Sequence, residues 1–189
     1  EFTQIDLEMS FVEEADIQRV TEELLAAVMK EVKGIDVALP FPRMTWHDAM
    51  VRYGSDKPDT RFGLDMHNVT ALFTTSEFKP FQGAIAEGGT IEALNGKGLA
   101  ASTSRKAIDQ LTESAKLMGA KGLVTLKVDE KGELAGPAAK FLTPEEPAAL
   151  KSELGAEPGD LLLIVADISF RVACTALGRV RLDLADAHG

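Results

Sequence analysis

The most apolar stretch of the sequence, Leu161 to Ala166, limits the folds that are open to this chain. Its six residues fall far short of the ~20 that a helix needs to cross a bilayer, and no other segment comes near that length. A short uninterrupted apolar run is typical of a buried strand. The chain is therefore predicted to bury at least one strand in a globular core.

Other segments carry apolar residues at helical or at strand spacing. Helical spacing runs from Ile17 to Val32, with Gly34 as a natural stop, and Thr45 is placed to cap a short helix. Further helices are predicted in 103–122, in 143–160 and from Phe170 onward, and strands at 78–81, at 89–98 and in a hairpin that turns near Lys131 and Gly132. Helices and strands that mix without strict alternation favour the α+β class over a doubly wound sheet.

Charge and cysteine content narrow the function classes. With 30 Asp and Glu against 20 Lys and Arg, the formal net charge is −10. An acidic chain does not attract nucleic acid by its overall field, so any RNA contact would need a local basic patch. The single cysteine, Cys174, rules out an internal disulfide framework and fits a reducing compartment. No secretory signal pattern is visible, so a cytoplasmic location without membrane contact is expected.

The first residues alternate in polarity. From Thr3 to Phe11 apolar and polar residues take turns, which predicts a strand with successive side chains on opposite faces. The polar face of that strand would carry Gln4, Asp6 and Glu8 in a row. Two carboxylates and an amide on one face suit either a polar pocket or hydrogen bonding within a sheet.

Two charged segments are candidate binding elements. Residues 52–61, RYGSDKPDTR, form either a surface loop with ion pairs of little energetic weight or a loop that orders a polar ligand or an adjoining loop. At the start of a predicted helix, Arg105 and Lys106 are either solvated cations or a candidate contact to RNA phosphate. The three histidines and Cys174 show no ligand spacing, so no metal site is predicted.

Several segments, in this order, resemble the bacterial aspartyl-tRNA synthetases, which are class II aminoacyl-tRNA synthetases. EFTQIDLEMSFV is similar to the second strand of the motif 2 hairpin, and FPRMTWHDAMVRYGSDKPDTRFG to the segment that follows it. GAKGLVTLKV, GPAAKFL and PGDLLLIVAD resemble the GAD domain, an insertion in the bacterial catalytic domain. ALGRVRLDL resembles the helix that returns to the core. The resemblance runs along the whole chain.

The resemblance implies a fold and domain boundaries. Residues 71–166 would form a complete GAD-type insertion domain of two layers, with helices on a sheet. Residues 1–70, from the second strand of motif 2 onward, and residues 167–189, a returning helix, would be incomplete pieces of the antiparallel-sheet class II catalytic core. The chain would then be an internal fragment without the first strand of motif 2 and without motif 3, and the fragment alone is expected to be inactive.

The same resemblance implies a reaction and a binding site. The parent enzyme, a homodimer, would activate aspartate with ATP and Mg²⁺ and pass the aspartyl group to the 3′ end of tRNA. By motif match, Asp6 would accept hydrogen bonds from the α-ammonium of aspartate, with Gln4 beside it and Glu8 as a further candidate pocket residue. No catalytic side chain is expected in this fragment, and neither ATP nor Mg²⁺ is expected to bind to it.

Alternative functions stay open at this point. The GAD domain would act as a module that contacts tRNA or a protein, or it would be a structural spacer. A GAD insertion also occurs in the B subunit of tRNA-dependent amidotransferases, although that subunit would not carry EFTQIDLEMSF ahead of it.

Overall fold

The computed structural model describes residues 1–188, which form two compact units, residues 1–44 and the residues from Thr45 onward. This division follows contacts within the chain, so the predicted boundaries 1–70, 71–166 and 167–189 stay a prediction. Among the described residues, no helix is both long and apolar enough to cross a membrane.

The first unit is built around helix α1, Glu14–Lys33, which confirms the predicted helical spacing. Gly34 ends the helix in the left-handed conformation, with φ 68°. On the helix surface, Glu22 is only 7% exposed and accepts a hydrogen bond from the Phe41 N–H at 3.2 Å. This contact ties residues 35–43 back onto α1.

The residues before α1 do not form the predicted strand. Residues 1–13 contain no strand, and the side chains of Phe2, Ile5 and Leu7 are exposed. A strand persists only where its backbone groups pair with a neighbour. In the described chain no strand pairs with these residues, so their alternating polarity has no sheet to act on.

The second unit is organised by a five-stranded antiparallel sheet in the order β1-β2-β5-β3-β4. The strands are β1 Met66–Asn68, β2 Thr90–Gly96, β3 Val124–Val128, β4 Leu134–Ala135 and β5 Leu161–Asp167. The apolar run predicted as a buried strand is β5, the central strand. Its residue Leu163 lies opposite Leu94 of β2 and Thr125 of β3. The prediction of a buried strand is therefore confirmed.

Helices cover both faces of this sheet. On one face, α2 Trp46–Tyr53, α4 Arg105–Leu117 and α6 Phe170–His188 pack with Leu161, Leu163 and Val165. On the other, α3 Lys79–Ala86, α5 Glu146–Leu154 and the 3-10 helices Thr70–Phe73 and Ala139–Phe141 pack with Leu162 and Ile164. The mixture of helices and antiparallel sheet is confirmed, while the two layers predicted for residues 71–166 stay a prediction, because α2 and α6 lie outside that range. Because β5 is apolar on both faces, both faces need cover, and the unit has three layers.

Two local predictions differ from the structure and one is confirmed. Residues 78–81 were predicted as a strand, but Lys79 begins α3, and Pro80 sits in the first turn, where its missing N–H costs nothing. Strand β1 was not predicted, since its three residues are too few to show a period. The hairpin of β3 and β4 is confirmed, with the Gly132 N–H donating to the Asp129 carbonyl at 2.9 Å.

Glu92 of β2 is a completely buried carboxylate. Its Oε1 accepts hydrogen bonds from Asn68 Nδ2 at 2.7 Å and from Thr90 Oγ1 at 2.8 Å, while Oε2 has no partner in residues 1–188. Burial raises the pKa of Glu92 above its ordinary 4.5, and the two hydrogen bonds offset only part of that rise. The folded chain therefore resists ionisation of this carboxyl group.

We predict that Glu92→Gln removes a pH-dependent loss of stability. Below the unfolded pKa, near 4.5, Glu92 is neutral in both states. As the pH rises from there toward the raised folded pKa, the unfolded chain ionises first, so the free energy of unfolding falls. The Glu92→Gln chain has no such group, and its urea midpoint should fall less between about pH 5 and pH 8.

The control for this comparison is Glu130→Gln, the same substitution at an exposed glutamate. Its pH profile should follow that of the unchanged chain. Parallel profiles for Glu92→Gln and the unchanged chain would contradict the account of the buried carboxyl.

Candidate functional site

A cavity of about 510 Å³ lies in the second unit, between α2, the loop after it and α6. Its walls include Trp46 of α2, Lys57 and Asp59 of the loop, and Arg171 and Arg181 of α6. The loop, residues 54–65, contains most of the charged segment RYGSDKPDTR, for which the sequence left two interpretations open. The structure shows which contacts order it.

Helix α2 places the start of this loop. Thr45 caps the helix as predicted, its side chain accepting the Asp48 N–H at 3.0 Å. Gly54 ends it in the left-handed conformation, with φ 68°, and the Gly54 N–H donates to the Met50 carbonyl at 2.9 Å. The chain then turns into the loop directly beside α6.

Two glycines allow α2 and α6 to meet. A Cβ atom on Gly54 would lie 2.2 Å from the Cys174 carbonyl oxygen and 2.6 Å from the Gly178 Cα. A Cβ atom on Gly178 would lie 2.7 Å from the Tyr53 carbonyl oxygen. All of these partners are rigid backbone atoms, so only glycine fits at either position. The close approach brings the start of the loop against the middle of α6.

Arg181 of α6 holds the rest of the loop. It is 1% exposed, and its Nε donates to the Leu64 carbonyl at 2.9 Å. Its Nη2 reaches the carbonyls of Asp59 at 2.9 Å, Gly63 at 3.0 Å and Phe62 at 3.3 Å. The guanidinium carbon also lies 4.3 Å from the centre of the Phe62 ring and 4.9 Å from that of Tyr53. The loop therefore orders around one buried cation.

The contact with Leu64 holds a strained backbone. Leu64 has φ 64°, a left-handed conformation that costs a non-glycine residue about 1–2 kcal/mol. Strained residues persist only where their surroundings fix them, and the Arg181 hydrogen bond does so here. The loop is therefore ordered, and it is held in place by Arg181 of α6 and by its own ion pairs.

Those ion pairs neutralise part of the loop. Arg61 donates from its side chain and from its backbone N–H to Asp59, and these hydrogen bonds lower the pKa of Asp59 to about 2. Arg52 forms a two-pronged contact with Asp65, Nη2 to Oδ2 at 2.7 Å and Nε to Oδ2 at 3.2 Å. Both carboxylates are already paired with arginines of the chain.

The single cysteine, Cys174, does not line the cavity. It is completely buried in α6, and burial raises its thiol pKa to about 12, so it stays protonated. Among residues 1–188, no group of three His, Cys, Asp or Glu side chains is placed to hold a metal ion.

None of the site residues predicted from sequence lines this cavity. Gln4, Asp6 and Glu8 are exposed residues of the first unit, outside any helix or strand. Arg105 and Lys106 are exposed in the first turn of α4, in the second unit, and form no ion pair within the described chain. The roles assigned to these five residues stay predictions.

Sequence reasoning missed Arg181 and the two glycines. One signal was available: position 181 falls on the same face of the last helix as Leu177 and Leu184, which are apolar. A cation on the apolar face of a helix indicates a buried partner, and here the partners are loop carbonyls more than 100 residues away in sequence.

Comparison with known families identifies the core of the second unit. A family model described as the GAD domain matches residues 81–177, which are half of the chain. The chain belongs to the GAD domain family. The matched region contains four of the five strands and the first half of α6. Arg181 and the charged loop lie outside the GAD match, so the cavity joins the GAD domain to the residues that flank it.

Relatives extend the comparison beyond the GAD domain. An aspartate–tRNA ligase of Geobacillus kaustophilus (strain HTA426) is 54% identical over all of this chain, which covers 32% of that protein. An aspartate–tRNA(Asp/Asn) ligase of Geobacillus sp. (strain WCH70) is 55% identical over 97% of this chain and 31% of its own length. An aspartate–tRNA ligase of Oceanobacillus iheyensis is 51% identical over all of this chain and 32% of its own length.

The chain thus spans about a third of the length of the curated relatives it matches. These matches confirm the resemblance seen in the sequence. Among solved structures, a hypothetical protein of Pyrococcus horikoshii OT3 is similar at 22% identity, with a TM-score of 0.40 over 52% of this chain, which is too low to support an inference.

We predict that Gly178→Ala destabilises the second unit by about 1–3 kcal/mol, because the new methyl group would overlap backbone atoms of Tyr53 and Gly54. Gly83→Ala is the matched control, since Gly83 lies inside α3 with nothing within 4 Å of its Cβ position. It should stabilise the chain by up to about 1 kcal/mol. Urea unfolding followed by the fluorescence of Trp46 measures both; equal midpoints for the two variants would contradict the close approach.

Proposed function

We propose that the chain is part of an aspartate–tRNA ligase. The longer protein activates aspartate with ATP and transfers the aspartyl group to the 3′ end of tRNA. The observation that carries the proposal is identity of about 54% along the entire chain to proteins of that name, including residues 1–80, which lie outside the GAD match. A GAD domain alone would also fit other proteins that contain one. The identity of the flanking residues, which lie outside the GAD match, favours an aspartate–tRNA ligase.

The surface of the first unit supports its place in a larger body. Phe2, Leu7 and Val32 are at least 60% exposed. A short segment that leaves this many large apolar side chains in water gains free energy by packing against further protein. We expect that protein to be the remainder of the class II catalytic core, which would supply the neighbouring strand that Gln4 to Glu8 lack.

Asp6 is the proposed ligand of the substrate ammonium group. Paired with a neighbouring strand, residues 3–11 would present Gln4, Asp6 and Glu8 on one face. A carboxylate accepts charge-assisted hydrogen bonds from an α-ammonium group, while Gln4 orients it and Glu8 extends the polar wall. Asp6 cannot select aspartate among amino acids, because all of them carry the same ammonium group.

The reaction needs little covalent chemistry from the protein. Adenylate formation depends on positioning and on stabilising the charge of the phosphates. Magnesium takes part in the proposed reaction, but residues 1–188 supply no group of three ligands for it, so no step is assigned to magnesium through this chain. The proposed ligase is a cytoplasmic homodimer, and relatives named for aspartate tRNA and for both aspartate and asparagine tRNAs match equally well.

A second candidate function concerns the GAD domain as a contact to RNA. Arg105 and Lys106 are exposed at the start of α4, next to the N-cap Ser104, and have no ion-pair partner in the described chain. Cations beside a helix N-terminus suit a backbone phosphate of tRNA. Loss of tRNA affinity in Arg105→Ala with Lys106→Ala, at low salt, is the expected result; unchanged affinity would leave the GAD domain a spacer.

The proposed function is tested by pyrophosphate exchange. The longer protein that contains this chain should exchange pyrophosphate into ATP when aspartate is added, and this chain alone should not. In the longer protein, Asp6→Asn removes one charge and keeps the shape. A hydrogen bond between charged groups contributes roughly 1.5–3 kcal/mol, so the KM for aspartate should rise about tenfold to a hundredfold.

The KM for ATP serves as the internal control, because a carboxylate is not expected to touch the triphosphate. Thermal melting checks that the variant folds. If the KM values for ATP and aspartate rise equally, or if neither changes, Asp6 is not the ligand of the ammonium group. If the longer protein shows no aspartate-dependent exchange at all, the ligase proposal itself fails.

A further inference from the structure

The cavity beside Arg181 contains a cation that the protein does not fully use. Nε and Nη2 of Arg181 are occupied by loop carbonyls, but Nη1 makes no hydrogen bond to the described chain. Four side-chain atoms of the described chain are fully enclosed without a hydrogen-bond partner, and Nη1 is not one of them, so protein does not enclose it completely. Arg181 is 1% exposed and lines the cavity, and Nη1 is the one nitrogen of its guanidinium group without a hydrogen bond in the described chain.

The cavity walls add further positive charge. Lys57, Arg171 and Arg179 line it together with Arg181, against the two acids Asp56 and Asp59. Asp59 is already neutralised by Arg61, and Arg179 by Asp183 at 2.8 Å. Arg171 has no ion-pair partner among residues 1–188, and Lys57 lies 3.5 Å from Asp56 with 86% of its side chain exposed. In a chain of net charge −10, this is a local reversal of sign.

An aromatic wall completes the cavity. Trp46 is 57% exposed, and it is the single tryptophan of the chain. Indole rings favour stacking with planar groups. A volume of about 510 Å³ lies within the range of sites that enclose a ligand of drug or nucleotide size.

We propose that this cavity binds a phosphate group attached to a nucleoside. Three cationic side chains line it, Arg171 and Arg181 from α6 and Lys57 from the loop. A phosphate has several anionic oxygens and accepts from such converging donors, whereas a carboxylate has only two. Trp46, which lines the cavity, is the stacking partner proposed for the base. The proposal goes beyond the aspartate pocket, since none of the residues proposed for that pocket takes part.

The phosphate could come from a free nucleotide or from the backbone of RNA, and both present the same chemistry to the cavity. AMP and a single-stranded hexa-adenylate therefore serve as the two probes. Each is titrated into the 189-residue chain at low salt, with Trp46 fluorescence as the signal, because the only tryptophan lines the cavity. Potassium chloride at matched ionic strength gives the baseline.

The deciding comparison uses two double variants of equal charge change. Lys57→Ala with Arg171→Ala removes two cavity cations, and both positions are exposed, so the fold should survive. Lys97→Ala with Lys131→Ala removes two exposed cations outside the cavity. Saturable binding that weakens at least tenfold in the first pair and less than twofold in the second is the expected result.

Each outcome has a defined meaning. Binding of AMP with that pattern supports a site for a free nucleotide. Binding of hexa-adenylate alone with that pattern supports a site for the RNA backbone. No saturable change in fluorescence with either probe overturns the proposal, and so does equal weakening by the two double variants. Failure here would leave the ligase proposal untouched, because that proposal rests on pyrophosphate exchange.

Discussion

The hydrogen bonds of the buried Arg181 guanidinium are the interaction on which the loop after α2 and its cavity depend. Taking a cation out of water costs several kcal/mol unless its hydrogen bonds are replaced. Arg181 replaces them with four loop carbonyls and with the faces of two aromatic rings. Without the loop, the buried guanidinium would have no acceptors, and without the guanidinium, the loop carbonyls would have no donors. The two therefore depend on each other.

The remaining architecture places that arginine. The central strand β5 is covered by α6 on one face, and α6 approaches α2 closely because glycines stand at the crossing. The same crossing brings the loop to Arg181, which binds the carbonyl of the strained Leu64, while the Leu64 side chain packs against the core. The cavity exists because the loop is fixed at its start by Gly54 and at its end by Leu64, and it carries positive charge within an acidic chain.

Local sequence signals predicted the elements whose causes are local. Gly34 after an apolar helical face, Thr45 at the start of α2 and the apolar run of β5 each predicted what the structure contains. Residues 78–81 were misread because four residues carry too little periodicity and the proline cue for a first helical turn was overlooked. The strand predicted for residues 3–11 is absent for a different reason. A strand needs a neighbouring strand to pair with, and residues 1–188 provide none for it.

Contacts between residues that lie far apart in the chain could not be predicted from the sequence. The partners of Arg181 lie 117 to 122 positions away, and no spacing rule connects them. A continuous apolar strand likewise indicates that it is buried but not which helices bury it. For the candidate site, the sequence supplied the charged loop, whereas its ordering and its cavity followed only from the tertiary structure.

Hydrogen exchange of the Arg181→Lys chain tests the central claim most directly. Lysine keeps the charge but has no planar fork, so it cannot serve carbonyls on several sides. The account predicts that amides of residues 54–65 exchange at least about tenfold faster, a loss of roughly 1.4 kcal/mol in local opening, while those of the central strand, residues 161–165, keep their protection. Unchanged exchange in the loop, with the same thermal stability, would show that Arg181 does not hold it.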